Sequence, residues 1–95
     1  MPVQQNVVTV EDTVTSLFNA SHNRRRFYVH LPSDAGGEVE VGGASLLWGQ
    51  GVRLALGETF EVVQNFPTDA SAKYQWYAVT NSGGSVDVRV VEVTG

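Results

Sequence analysis

The chain has no cysteine. No disulfide can supplement its core, which argues against an extracellular, oxidised miniprotein. Its longest uninterrupted apolar run is only a few residues, too short for a membrane-spanning helix, so no membrane partner is expected. The first ten residues, MPVQQNVVTV, lack a basic stretch followed by an apolar block, so no secretory signal is expected either. Positive charge is also scarce. Six basic residues against ten acidic ones leave a net charge of −4, which argues against a general nucleic-acid binder.

Recognisable catalytic patterns are missing as well. There is no cysteine nucleophile and no G-x-S-x-G elbow. His22 and His30 are separated in sequence, one in a turn and one on an outward strand position, without metal-ligand spacing. The glycines form neither a dinucleotide fingerprint nor a phosphate loop with its lysine, and the carboxylates are scattered rather than paired. No enzymatic activity, metal or other cofactor is expected.

What the chain does have is glycine-punctuated alternation. Ninety-five residues make one small domain, 1–95, with residues 1–6 a candidate extended N-terminal arm that could add to a neighbour's sheet edge. A chain of this size buries only about 60–65% of its unfolded surface, so partner subunits are a common further source of stability. The stretch Trp48–Val63 reads as two strands joined by a structural turn at Gly57-Glu58. Leu54 and Leu56 share one face before the turn, and Phe60 and Val62 begin a second alternation after it. On this pattern Leu56 belongs to the core, and Leu56→Ala would leave the isolated protein largely unfolded at physiological temperature. Trp48 is expected to plug the core.

Arg24–Leu31 alternates more clearly, with Phe27, Val29 and Leu31 on one side and Arg26, Tyr28 and His30 on the other. Val39 and Val41 point inward from a short strand whose acids point out. Phe66–Lys73 is the longest loop, with room for one helical turn. Tyr74–Thr80 is a strand, and Asn81–Gly84 reads as a hairpin turn with Gly83 and Gly84 where positive φ is needed. Val86, Val88 and Val90 then alternate, and the apolar phase slips at Val90-Val91, as a β-bulge would produce. About seven or eight short strands at this spacing, with no substantial helix, predict an all-β fold. The same alternation serves a small antiparallel β-sandwich or a partly closed barrel.

Two groups of side chains are candidates for partner binding. Arg24, Arg25 and Arg26 either fan out to nearby acids such as Glu38 and Glu40 or form a docking patch for an acidic surface. Tyr74 and Trp76 either face outward together, as in interface hot spots and sugar-stacking platforms, or Trp76 is core.

The order of features has a parallel. Asn23-Arg24-Arg25 leads into a strand ending His30-Leu31-Pro32-Ser33-Asp34, and Leu54-Ala55-Leu56-Gly57-Glu58 follows a glycine-bounded strand. Later come Tyr77-Ala78-Val79, Ser82-Gly83-Gly84 and Val88-Arg89-Val90-Val91-Glu92. From about Asn19 to Glu92 the chain resembles the small all-β structural modules encoded among the head and tail genes of tailed bacteriophages. The resemblance implies a non-enzymatic virion component, made in the host cytoplasm and placed on the phage head surface. It would be a capsid decoration (cement) protein or a head-fibre base that binds and stabilises the expanded head. The implied partners are the major capsid protein and copies of the chain itself, as a trimer or a cluster on a symmetry axis. The absence of a C-terminal shaft sequence favours decoration over fibre. A tail or baseplate adaptor and a host-carbohydrate-binding module of a fibre are the alternatives.

Overall fold

Period-two alternation of apolar side chains organises the core. Phe27 and Val29 project from one side of β3 (Arg24–His30), Leu31 follows in phase, and all three are fully buried. The computed structural model describes residues 3–64 and 70–94. Within them, four strands form one antiparallel sheet in the order β1 (Val3–Val10), β8 (Val86–Thr94), β3 and β6 (Thr59–Val63). A second antiparallel sheet runs β2 (Thr15–Ser16), β7 (Tyr77–Thr80), β4 (Val39–Gly42) and β5 (Val52–Leu54). The two sheets stay separate, so the fold is a small sandwich. Val10, Phe27, Val29, Val86, Val88 and Val90 from the first sheet meet Val39, Val41, Leu54 and Ala78 from the second. Such burial contributes about 1.5–3 kcal/mol for each large side chain.

Among the described residues, only β4 and β5 are consecutive strands within one sheet, and every other connection crosses from one sheet to the other. The two expected glycine hairpins are therefore corners. Gly57, at φ +86°, carries the chain from β5 in the second sheet to β6 in the first. Gly83, at φ +79°, carries it from β7 in the second sheet to β8 in the first. A hairpin and a corner share the same signal, because consecutive strands on opposite walls of a sandwich bury the same alternating phase.

Four further expectations are corrected. β8 has no bulge at Val90-Val91: it stays in register with β1 from Val3↔Val93 to Val10↔Val86. Val91 and Val93 therefore lie on the outward face, and the irregularity falls in β3 between Arg24 and Arg26. Leu56 lies past the end of β5 and is 47% exposed, outside the core. Trp48 does not plug the core. It is half-buried in the β4–β5 connection, its ring 4.5 Å from the Arg53 guanidinium. The strand expected from Tyr74 begins only at Tyr77, and it is Ala78 that reaches the core.

The stretch 1–6 is, over residues 3–6, part of β1 and paired with Val90–Val93 of the same chain. In the 66–73 loop, Ser71–Lys73 forms a single 3-10 turn, and residues 65–69 lie outside the described residues. No helix among the described residues is long and apolar enough to cross a membrane.

Candidate functional site

Arg24 opens β3 with a fully buried side chain. Its Nε donates to Glu92 Oε1 at 2.9 Å, and Nη1 donates to the carbonyls of Ala72 (3.1 Å) and Tyr74 (3.0 Å). Nη2 donates to the carbonyl of Asn19. The guanidinium also lies 3.8 Å from the Phe18 ring centroid. One side chain thereby ties β3 to β8, to the β2–β3 connection and to the 3-10 turn. The local irregularity of β3 against β8 sits at this position.

The three arginines thus part company. Arg24 is internal architecture. Arg25 is exposed, and its carbonyl accepts from Gln64 N–H at 2.8 Å. Arg26 lies beside Tyr28 on the outward face, 3.4 Å from Glu61. None of them pairs with Glu40, whose partner is Arg53 on the adjacent strand.

The aromatic pair also divides. Trp76 turns inward, its ring centroid 5.4 Å from that of Phe27 and 5.6 Å from that of Phe60, and its Nε1–H donates to the Ser71 carbonyl at 2.9 Å. Tyr74 stays 63% exposed. The two rings therefore do not form a shared outward platform.

Among the described residues, Glu40 is the other buried charge. It sits on β4 with its carboxylate accepting from the N–H groups of Gly49 (2.8 Å) and Gly51 (3.0 Å) and from Nε and Nη2 of Arg53 (3.1 and 2.8 Å). Burial pushes this carboxyl up, but the Gly51 N–H, the Arg53 guanidinium and the Gly49 N–H outweigh it and hold it below the usual range. The backbone approaches closely here: a Cβ on Gly51 would lie 2.6 Å from Leu46 Cδ1 and 2.8 Å from the Val41 carbonyl.

Gly57 and Glu58 both take part in hydrogen bonds at the first corner. Glu58 Oε1 accepts from Ala55 N–H at 2.6 Å, while Gly57 N–H donates to the Leu31 carbonyl at 2.8 Å. At the other corner Ser82 Oγ donates to the Gly84 carbonyl at 3.1 Å. Positive φ falls on Gly83 and not on Gly84.

With the interior charges bonded internally, the accessible feature is the outward face of the first sheet. Residues directly paired across strands share a face. The registers therefore place Val3 and Val7 of β1, Val91 and Val93 of β8, Tyr28 of β3 and Val63 of β6 together on it. Val3 and Val7 are 56% and 66% exposed, and the other four are half-buried. The ion pair Arg26–Glu61 lies within this face, and Arg89 and His30 sit in the Val7 row. Sequence reasoning missed this surface, although its signal is present: β8 carries valine on both faces, which a one-sided strand does not need.

Compared with known proteins, the chain matches no family model, no curated protein and no solved structure.

Proposed function

We propose that this protein is a structural component of a virion, a capsid decoration protein that binds the expanded phage head and stabilises it. The observation that carries the proposal is the outward face of the first sheet. Four strands present valines and Tyr28 to the surroundings, interrupted by Arg26, Glu61 and Arg89. A mixed apolar and ionic face of this kind suits docking onto another protein surface. The interior charges Arg24 and Glu40 are spent on holding the fold. The elements on which the resemblance to phage modules rests have structural roles in this chain. Arg24 of the Asn23-Arg24-Arg25 element bonds Glu92 of the closing strand, and Gly57-Glu58 forms a corner. In this reading the partners are the major capsid protein and further copies of the chain. The carbohydrate reading loses support, because Trp76 is turned inward.

The test is co-sedimentation of the purified protein with mature capsids that lack it, alongside unexpanded procapsids. Saturable binding to the expanded shell with a gain in its heat resistance is expected. Val91→Lys, a charge in the middle of the outward face, should abolish that binding while the protein melts as before. Absence of binding to either shell overturns decoration and turns attention to a tail or baseplate ring.

A further inference from the structure

β1 is the outermost strand of its sheet, with β8 on one side and no strand on the other among the described residues. It is the longest sheet edge among the described residues. The other three edge strands are β2 with two residues, β5 with three and β6 with five, against eight in β1. Short edges resist pairing with other chains, and long ones are normally guarded by lysine, proline, a bulge or an inward charge. From Val3 to Val10, β1 has none of these. Its sequence VQQNVVTV is uncharged and free of proline, and its register with β8 is unbroken.

The order of residues along this edge indicates the occupant. Val3-Gln4-Gln5-Asn6-Val7 reads as apolar, amide, amide, amide, apolar in either direction. When such a strand lies antiparallel to its own copy about a two-fold axis at Gln5, Val3 faces Val7 of the other copy. Gln4 faces Asn6, and Gln5 faces Gln5. Residues directly opposite one another share a sheet face, so this register keeps Val3, Gln5 and Val7 of both copies on the outward side. Any register that mixes odd with even positions would place outward residues of one copy against inward residues of the other. Being uncharged, the strand meets its copy without like-charge repulsion across the pair. The pattern is of use to a second copy, which reads it backwards, and of no particular use to an unrelated strand.

We propose that two copies of this protein join β1 to β1 antiparallel about a two-fold axis at Gln5, making one eight-stranded sheet from the two outer sheets. The pairing is isologous and closed, because each copy commits its β1 edge and the new sheet ends on the shorter β6 strands. The valine-bearing outward faces of both copies become continuous across the junction. This deepens the self-contact of the proposed function and rests on that part of it. The pairing is read in the free protein, so its failure is distinct from a failure to bind capsids.

The absence of cysteine makes the test clean. Opposed residues of an antiparallel pair lie about 4.5–5.5 Å apart at Cα, within the span of a disulfide. Gln5→Cys is therefore expected to give a disulfide-linked dimer under mild oxidation. Thr9→Cys, also exposed on β1, is eight positions from its counterpart, roughly 27 Å at about 3.4 Å per residue, and should remain uncrosslinked. In sedimentation analysis the unmodified protein should pass from monomer to dimer with rising concentration. Val7→Lys should keep it monomeric and, since Val7 is exposed, should melt like the parent at dilutions where the parent is itself monomeric. A protein that stays monomeric at millimolar concentration, equal crosslinking of the two cysteine variants, or a dimer that survives Val7→Lys would each overturn the proposal.

Discussion

Arg24 and Glu92, at the start of β3 and near the end of β8, form a salt bridge of 2.9 Å with side chains only 1% and 12% exposed. The pair joins two strands far apart in sequence, and the arginine's remaining bonds fasten the segments around Asn19, Ala72 and Tyr74 to the same point. A cation in this setting is a stabilising clamp, whereas Arg25 and Arg26 lie on the surface.

Removing the clamp should be costly. Arg24→Ala removes the guanidinium partner of Glu92 and of three carbonyls, and truncating one member of a buried pair typically costs about 3–5 kcal/mol. Arg25→Ala, one residue away on the exposed side, should lie within about 0.5 kcal/mol of the parent protein. Urea titration of both variants reads the difference. Equal midpoints would mean that Arg24 does not hold the strands together.

Leu54 and Leu56 should separate just as clearly. Leu54 is 4% exposed within the core cluster, whereas Leu56 is 47% exposed beyond the strand. Leu54→Ala is expected to cost about 2–5 kcal/mol. Leu56→Ala should cost about 1 kcal/mol or less and still melt cooperatively. Thermal melts of the two variants decide, and a larger loss for Leu56→Ala would contradict the packing described here.

Trp76 and Tyr74 predict a third contrast. Trp76 packs on Phe27 and Phe60 and donates to Ser71, so Trp76→Ala should cost about 3–5 kcal/mol. Tyr74→Ala removes an exposed ring and should leave stability within about 0.5 kcal/mol. Denaturation followed by far-ultraviolet circular dichroism measures both without relying on tryptophan emission.

Where the sequence was legible and where it was not follows from what period two can encode. The inward sides of β3 and β8 and the inward pair on β4 were readable, because Phe27, Val29, Val39, Val41, Val86, Val88 and Val90 alternate with polar neighbours. Which sheet each strand joins was not readable, because alternation is the same for a hairpin and for a corner at Gly57 or Gly83. The candidate site was harder still. Arg24 carries the same local signature as Arg25 and Arg26, and only the approach of Asn19, Ala72, Tyr74 and Glu92 makes it internal. Valine on both sides of β8 was visible, but a bulge and a second apolar face produce the same string, and the pairing with β1 selects the second.

Glu40 supplies the pH dependence. Its carboxylate receives two backbone N–H groups and the Arg53 guanidinium, which lower its proton affinity in the folded chain below the unfolded value of about 4.3. A group depressed in this way stabilises the fold above its unfolded pKa, and the contribution disappears as pH falls through the folded pKa. The parent protein should therefore lose stability progressively below about pH 4. Glu40→Gln keeps the shape but loses the charge, so it should be weaker by about 1–3 kcal/mol at neutral pH. The gap between the two should narrow as the solution is acidified. Trp48 reports the same event, since its ring rests on the Arg53 guanidinium that Glu40 holds. Its emission should change with acid in the parent protein before global unfolding and be already altered in Glu40→Gln at neutral pH. A gap between parent and variant that stays constant from neutral pH into the acid range would show that Glu40 is not the group that titrates.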